Sequence, residues 1–593
     1  MADGWETYPI EFRGGLVTNL APIQQGINLP GSARQLRNFE PSVSGGYRRI
    51  DGYSKYDPAV IPNTTGFVRG VFYYGGKVLA VRNNTSGGEG ELYESSGDGW
   101  TRRSTNTIRF SAGNGKVRFA KFNFDGTERV VMVDGTSSPI FLTGSVITQP
   151  TLTSAQTGAS HVAIFKNHIF LGKGSSIITS VYNGFDSASK WSVAEGAFEQ
   201  AFNDTVTGLE VFRDQLYVFL RTAIDRIEGS SFIDWKKVPV TANLGCVEED
   251  TIQEIGGDVM FMGPDGLRLL SGTDKIGDIG LGAVTKTIQT EATNFQGRNN
   301  TFCSLVVREK SQYRVFGYNT SRTTAESQGL IGTQFASQGG DNMAWAELRG
   351  LQAYVAHSEY TGINEIYVFG NDTGYVYQQE DGITFDGTDI AASFFTPYLP
   401  VNDPTIRKTM YVAHTYLDPD GSFNAQMSLN YDFNSTIRAD PINLSNEISS
   451  DKPVGLYGES RYATWESDAT AAVNGATSNT ASVVVDGNSG TIVVGQYVSG
   501  SGIVGTPTVI TVTDQNNIVL SSVQTLVNDV ALSFSDHTTA QTSEIYGNAV
   551  RVTLRKQVTG SGFVVSIEYT SEGSTQPFTL DALALEYATE SRR

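Results

Sequence analysis

A pattern of two short apolar strands joined by a tight polar turn returns seven times between residues 66 and 385 of this 593-residue chain. The copies begin at Val71, Phe119, His161, Leu209, Ile252, Leu305 and Ala353, at intervals of 48, 42, 48, 43, 53 and 48 residues. A constant period of this size, with three or four short strands per unit, is typical of β-propeller blades, which stack on their neighbours to bury both faces. We therefore predict an all-β fold with a β-propeller of about seven blades over residues 66–385.

Turn residues support this interpretation. Gly75-Gly76, Lys166-Asn167 and Arg213-Asp214 stand where two-residue hairpin connections are expected. A string of β-sandwiches is the competing interpretation, but it should show turn signals without a constant period. The number of blades stays open, since a weak blade can hide in the long interval after Leu305 or be supplied by flanking strands.

Composition agrees with a β-rich chain in which helices are minor. Short runs of Val, Ile, Tyr and Phe alternate with Gly, Asn, Asp and Ser, and the chain has 64 glycines, 26 tyrosines and 31 phenylalanines. Apolar periodicity of helical length is scarce. The best candidate for a helix is the short stretch 282–292.

A second domain is indicated by a break in composition near the carboxyl end. No Lys or Arg occurs from Ala463 to Val550, and residues 481–535 alternate short β runs with Gly, Asn and Asp turns. This pattern predicts a small immunoglobulin-like β domain, a sandwich or barrel, at residues 467–537. We expect it to be inserted into a loop of a β-sandwich platform formed by residues 386–466 and 538–593, which residues 1–65 also join.

Charge and cysteine content exclude some classes of protein. A net charge of −19 argues against nonspecific attraction to DNA, which depends on clustered Lys and Arg. The first residues lack the pattern of an export signal, and no apolar run is long enough for a membrane anchor, so we expect synthesis and folding in the cytosol. Cys246 and Cys303 match no metal or redox spacing, so we expect reduced, buried thiols and no disulfide.

Local motifs for chemistry are weak. Residues 500–505, GSGIVG, fit the dinucleotide fingerprint, but predicted strands on both sides exclude the helix that the fingerprint needs. Residues 73–78, YYGGKV, are better interpreted as a hairpin than as a phosphate loop. The histidines are dispersed, and His161 and His168, on one predicted hairpin, do not have metal-site spacing. We predict no catalytic residue, no metal and no cofactor, and we expect no enzyme, although a pair of distant carboxylates that cleaves glycans stays open.

The stretch from Phe12 to Tyr53 resembles the amino-terminal segment of the tail nozzle proteins, or tail tubular proteins B, of short-tailed bacteriophages. The shared elements are Gly14-Gly15, Gln24-Gln25, Pro30, the block from Ala33 to Asn38, and Gly46 before Arg48 and Arg49. They cover roughly a tenth of the chain. The chain is shorter than the larger nozzles and carries the segment without Lys or Arg, so the distal parts of that family are not transferred to it.

The resemblance implies a homohexameric tube in the virion tail, which contacts tail adaptor and tail fibre proteins and through which double-stranded DNA leaves. Under this interpretation Gly46, Arg48 and Arg49 are expected at a contact between subunits, the alternative being a surface turn with solvated arginines. An acidic chain suits a lumen that repels phosphate. The alternative function is a propeller that binds host glycans as a tail fibre or adhesin.

Overall fold

The computed structural model describes residues 5–62, 66–84, 88–152, 156–271, 283–323, 328–335, 342–421, 423–433, 441–444, 469–505, 507–535 and 552–589. The fold is all-β, as predicted. The amino-terminal segment contributes five short strands and the helix Pro22–Asn28. These strands are β1 (Glu6–Glu11), β2 (Gln35–Arg37), β3 (Phe39–Pro41), β4 (Tyr47–Arg49) and β5 (Tyr53–Lys55).

Seven antiparallel sheets follow along the chain. The first contains β6 (Val68–Tyr74), β7 (Lys77–Asn83), β8 (Glu89–Ser95), β9 (Thr101–Arg102) and β10 (Phe110–Ala112). The second contains β11 (Arg118–Asn123), β12 (Glu128–Val133), β13 (Ile140–Thr143) and β14 (Val146–Thr148). The third contains β15 (His161–Phe165), β16 (His168–Lys173), β17 (Ser176–Thr179) and β18 (Glu199–Ala201), with the 3-10 turns Ala188–Trp191 and Val193–Glu195 before β18.

The fourth sheet contains β19 (Val206–Phe212), β20 (Gln215–Leu220), β21 (Ile224–Glu228) and β22 (Lys236–Thr241). The fifth contains β23 (Gln253–Ile255), β24 (Asp258–Gly263) and β25 (Gly266–Leu269), after the 3-10 turn Glu249–Thr251. The sixth contains β26 (Thr301–Val307), β27 (Gln312–Tyr318), β28 (Gln328–Phe335) and β29 (Asn342–Arg349). The seventh contains β30 (Val355–Tyr360), β31 (Glu365–Gly370) and β32 (Val376–Gln379), and β5 from the amino-terminal segment pairs with β32.

The repeat is confirmed at the level of hairpins, because each of the seven repeated segments forms the first antiparallel pair of one sheet. The turns behave as their residues predict. Both central residues have positive φ in Lys166-Asn167 (48° and 60°) and Arg213-Asp214 (47° and 61°), which is the type I′ geometry of tight hairpins. The predicted helix begins later than expected: a 3-10 turn, Lys286–Ile288, leads into the helix Gln289–Arg298, and Gly282 lies outside the described residues.

Apolar side chains fill the space between successive sheets. The first and second sheets share one buried cluster that contains Leu79 and Met132, and similar clusters join the second to the third, the third to the fourth and the fourth to the fifth. Another cluster joins the seventh sheet to the first through residues such as Val368 and Val71. Inner strands such as β7, β16 and β20 are buried on both faces, which explains their nearly continuous apolar sequence.

After the seventh sheet come β33 (Ala392–Phe395), β34 (Lys408–Pro419), β35 (Gln426–Tyr431) and β36 (Ile442–Asn443). The chain divides into two compact units, and the second consists of Asp418–Phe423 and Asn446–Arg551. Its described strands are β37 (Ala469–Val473), β38 (Thr480–Gly490), β39 (Tyr497–Gly500), β40 (Val509–Asp514), β41 (Asn517–Gln524) and β42 (Ala531–Ser535). They have their own apolar core, and the outer strands β39 and β40 meet through a bridge between Tyr497 and Thr508.

The last strands return to the first unit: β43 (Val552–Gln557), β44 (Ser561–Gly562), β45 (Val565–Ser571) and β46 (Phe578–Thr589). The first and last described strands lie in one sheet, since β46 pairs with β1 and β4 as well as lying beside β34. The sixth sheet continues beyond β29 and has nine strands in all: β2 pairs with β29 in parallel and with β33 in antiparallel orientation, and β45, β35 and β36 follow. A buried aromatic group that contains Phe12, Phe394 and Tyr569 joins strands from both chain ends. The ends at 467, 468, 536 and 537 of the predicted insertion lie outside the described residues.

Candidate functional site

Gly46 occupies a turn that only glycine fits. It connects β3 to β4 with a φ of +79°, and a Cβ atom there would lie 2.6 Å from the carbonyl oxygen of Leu580. An L side chain would therefore meet both backbone strain and a clash with β46. The turn is thus packed against the carboxyl-terminal strand.

Arg49 is completely buried, with 0% of its surface exposed. Its guanidinium donates hydrogen bonds to the carbonyl oxygens of Thr575 (2.8 Å), Gly573 (2.9 Å) and Ile390 (3.0 Å). Burial lowers the pKa of Arg49 to about 10, although Asp51 and Asp389 oppose the shift. The side chain therefore ties the amino-terminal segment to two distant segments of the same chain.

Arg48 points into a different environment. It donates to both oxygens of Asp51, at 2.6 and 3.0 Å, and lies 3.4 Å from Glu40. About a fifth of its side chain, 21%, is exposed, so it is neither a solvated surface arginine nor a core residue. The contact between copies that the sequence predicts for Gly46, Arg48 and Arg49 stays a prediction.

Arg48 belongs to a mixed-charge group that we call the clasp cluster, which consists of Glu40, Arg48, Asp51, Lys310, Arg314 and Glu380. It joins the amino-terminal segment to the sixth sheet and to the residue that follows β32. Lys310 lies 2.8 Å from Glu40 and 2.9 Å from Asp51 and also pairs with Glu380. Arg314 lies 2.9 Å from Glu40 and 2.5 Å from Glu380.

The clasp cluster is electrostatically balanced. Burial alone would raise the pKa of Asp51, but Lys310 and Arg48 outweigh burial and hold that pKa below its usual range. Burial alone would lower the pKa of Lys310, but Glu40 and Glu380 outweigh burial and hold that pKa above its usual value. The pKa values of Glu40 and Asp51 are thus lowered and those of Lys310 and Arg314 raised, so these four groups stay charged across the neutral range, which is the condition under which buried ion pairs hold segments together.

A second group, which sequence reasoning missed, is the inner cluster of Lys116, Arg118, His161, Glu248, Glu249 and Asp250. These residues lie near the starts of β11 and β15 and in the turn before β23, so they come from three different repeats. Arg118 lies 2.5 Å from Glu249, 3.1 Å from Asp250 and 3.2 Å from Glu248. The only sequence signal was the run Glu248-Glu249-Asp250, which carries no spacing for a site.

Lys116 and His161 complete the inner cluster. Lys116 lies 2.8 Å from Asp250 and donates to the carbonyl oxygen of Phe302 at 2.6 Å. His161 lies 2.6 Å from Glu249 through Nδ1, whereas His168 uses Nδ1 to contact the carbonyl oxygen of Ser180 at 2.7 Å. The two histidines of one hairpin therefore serve different neighbours.

Glu210 on β19 has a strongly raised pKa, whereas the pKa of Asp250 in the inner cluster is lowered. Burial raises its pKa to about 8, and repulsion from Glu249 and Glu254 adds to the shift. A carboxyl group with a pKa near 8 can exchange a proton close to neutral pH. Among the described residues, the neighbouring charges that act on Glu210 are other carboxylates, which do not define a catalytic reaction.

The remaining sequence motifs behave as structural elements. Gly75-Gly76 form the turn between β6 and β7, and residues 500–505 leave β39 with no helix after them. Cys246 and Cys303 are free and buried, as predicted, and burial raises both pKa values to about 12. Within the described ranges, no three His, Cys, Asp or Glu side chains are placed to hold a metal ion, and no helix is long and apolar enough to cross a membrane.

Comparisons with known proteins leave the function open. No family model and no curated protein matches the chain. Among solved structures it is similar to the extracellular domain of a hybrid two-component system from B. thetaiotaomicron, with 11% identity and a TM-score of 0.34 over 66% of this chain and 47% of that one. It is also similar to an exo-β-1,3-galactanase from Phanerochaete chrysosporium, with 9% identity and a TM-score of 0.23 over 91% of this chain and 100% of that one. The chain spans about half of the first of these structures, and at such scores neither likeness carries an argument about function.

Proposed function

We propose that this chain is a structural protein of a short-tailed phage tail, a nozzle or tail tube component that assembles as a homohexameric ring. The proposal rests on the amino-terminal resemblance, and one observation supports it. The residues that carry the resemblance occupy positions that the fold needs, where the amino-terminal segment joins the repeat to the carboxyl-terminal strands.

The glycines of that segment show this most clearly. A Cβ atom at Gly15 would lie 2.7 Å from the backbone nitrogen of Trp345 in the sixth sheet, and Gly15 has a φ of +66°. Gly46 stands in the turn against Leu580, as described above. These positions tolerate no other residue without a shift of backbone.

The polar residues of the resemblance are equally constrained. Gln25 is 1% exposed and donates to Ser32 at 2.8 Å. Asn38 has a φ of 52°, donates to the carbonyl oxygen of Ala391 at 2.8 Å and accepts from the backbone N–H of Arg349 at 2.8 Å. Together with buried Arg49, these residues hold the junction between the amino-terminal segment, the repeat and the carboxyl-terminal strands. A chain that carries the shared motif is therefore expected to have the same junction.

We propose further that the seven sheets form one closed propeller. The packing of the seventh sheet on the first and the addition of β5 to the seventh sheet support closure. In the second unit the order β39-β42-β37-β38-β41-β40 contains the neighbours C-F and A-B-E-D of an immunoglobulin-like domain. Here the pairing of β37 with β42 joins the two groups into one six-stranded sheet, which favours the barrel form of such a domain. The proposed domains are therefore a propeller at 66–385, a platform from 1–65, 386–466 and 538–593, and an inserted domain at 467–537.

The ring is proposed to guide DNA without binding it. A DNA duplex carries about one negative charge per 1.7 Å, so exposed cations in a narrow bore would hold it. A chain with a net charge of −19 can present an acidic or neutral bore. We expect tail adaptor and tail fibre proteins to be its partners, and exiting DNA to be a transient one.

Negative-stain microscopy of the purified full chain tests the proposal. We expect ring-shaped particles with six-fold symmetry and a central channel. A stable monomer, or a trimer with a fibrous outline, would contradict it. Binding of the isolated chain to glycans on an array, without rings, would favour the adhesin alternative instead.

A further inference from the structure

A pocket of about 370 Å³ lies between two hairpin tips beside the clasp cluster. Ser42, Ser44 and Arg48 line it from the hairpin of β3 and β4, and Glu309, Lys310 and Gln312 line it from the turn and first residue of the hairpin of β26 and β27. A volume of this size is within the range of pockets that take a small ligand or a long side chain.

The cations of the pocket are already neutralised. Lys310 uses its ammonium group on Glu40, Asp51 and Glu380, and Arg48 is held by Asp51. Gln312 is 1% exposed, and its Oε1 accepts from Arg314 at 2.8 Å. These groups therefore have little capacity left for an anion.

Glu309 differs from the other charged residues of the pocket. It is exposed, and within the described residues it makes neither an ion pair nor a hydrogen bond. With Glu40, Asp51 and Glu380 it gives this region four carboxylates against the three cations Arg48, Lys310 and Arg314. The pocket therefore carries one uncompensated negative charge at its rim. The hydroxyl groups of Ser42 and Ser44 lie beside it, 2.8 Å apart and bonded to each other, and Ser42 Oγ also accepts from the backbone N–H of Ser44 at 3.3 Å. Each hydroxyl oxygen has a second lone pair, so Ser44 Oγ can still accept a hydrogen bond.

We infer that this pocket binds the guanidinium or ammonium group of an arginine or lysine side chain from another polypeptide, with Glu309 as its counter-ion. The hydroxyl group of Ser44 accepts a further hydrogen bond from the bound group. The inference does not depend on the proposed tail function, since it rests on the pocket alone.

The test uses the full chain and the probe N-acetyl-arginine amide, with binding followed by saturation-transfer NMR. We expect a dissociation constant of about 1 mM, which is ordinary for a single charged side chain. N-acetyl-citrulline amide, which has nearly the same shape without the charge, should bind about tenfold more weakly, because the charge-assisted bond to Glu309 is lost.

Two variants and one competing ion complete the test. Glu309→Gln should weaken the arginine probe about tenfold, whereas Glu195→Gln, an exposed carboxylate on the third sheet's turn, should leave its affinity unchanged. Inorganic phosphate should not bind. Equal binding of the two probes, an unchanged affinity in Glu309→Gln, or phosphate binding that Arg48→Ala abolishes would each overturn the inference.

Discussion

The two compact units of this chain fix their buried loops with different side chains. In the first unit buried cations donate to backbone carbonyl groups: Arg49 binds three, and Arg69 binds those of Gly115 and Ser111, both at 2.6 Å. In the second unit neutral amides do this work. Gln524, which is 2% exposed, accepts from the backbone N–H of Val504 at 2.9 Å and donates to its carbonyl oxygen at 3.1 Å.

The difference follows from distance along the chain and from donor number. Arg49 joins residues 390, 573 and 575 to residue 49, and a guanidinium offers five N–H donors at the end of a long side chain. Gln524 and Gln496 secure loops within their own small domain, where an amide supplies one donor and one acceptor side by side. Arg49 thus serves a long-range junction and Gln524 a local loop, although the amide of Asn38 also reaches a distant carbonyl group, that of Ala391. Amides such as Gln524 secure loops in the second unit, which has no Lys or Arg from 463 to 550.

The largest effect is expected when a buried cation of the first unit is removed. Arg49→Met should remove three hydrogen bonds and leave the buried carbonyl groups of Thr575 and Ile390 without the donor they have here, whereas Gly573 keeps the backbone N–H of Thr575. We expect this to lower the free energy of unfolding of the first unit by about 3 kcal/mol or more. Urea unfolding followed by tryptophan fluorescence measures this. Arg13→Met, at an arginine whose side chain is 76% exposed, is the control and should change stability by less than about 0.5 kcal/mol. A similar small loss for both variants would show that Arg49 is dispensable.

Removal of a buried amide of the second unit should have a smaller effect on stability. Gln524→Met keeps most of the side-chain volume but removes both bonds to Val504, so we expect a loss of about 1–2 kcal/mol confined to the second unit. Hydrogen exchange of peptides from 469–535 measures it locally. Thr513→Val, at an exposed position of β40, is the control, and faster exchange in the first unit as well would contradict the local role.

The contribution of Glu210 to the stability of the first unit should depend on pH. Its pKa is about 8 in the fold and about 4.5 in the unfolded chain, so its favourable contribution is complete below pH 4.5 and is lost as the pH rises towards 8. Because Glu210 keeps some contact with solvent, we expect Glu210→Gln to gain about 1–2 kcal/mol relative to the unmodified chain between pH 5 and pH 8.5. Parallel unfolding curves of the two proteins at both pH values decide the point, with Glu195→Gln as a variant that should show no such gain.

The smallest effect is expected when the second domain is removed. Replacing residues 467–537 by a short Gly-Ser linker should leave hydrogen exchange in the seven sheets unchanged, because the removed strands have their own core. Insoluble protein after this deletion would mean that the inserted domain supports the rest of the chain.

The sequence predicted much of this fold because a hairpin is formed by residues that lie close together in the chain. Four of the seven repeated segments close a hairpin over two residues and three close it over four. Pairs such as Lys166-Asn167 adopt the positive φ values that two-residue turns need. The break in basic residues likewise coincides with strands that have a separate core. Burial of Cys246 and Cys303 could be predicted from the lack of any pairing or metal spacing.

The sites depended on contacts that no local pattern contains. Sequence alone placed Arg48 and Arg49 side by side in β4, but neighbours on a strand point to opposite faces. The tertiary structure therefore sends Arg49 into the interior and Arg48 to Glu40 and Asp51. The inner cluster was missed for the same reason, since Arg118 and Glu249 are 131 positions apart and meet only because three sheets pack together.

By itself, then, the amino-acid sequence determined the β periodicity, the turns and the composition of the two units, because these depend on residues a few positions apart. Only the tertiary structure decided that β5 completes the seventh sheet, that the first and last described strands share one sheet, and which carbonyl groups Arg49 binds. Such partners come from segments hundreds of residues apart, and their choice is set by the packing of whole sheets rather than by any local preference.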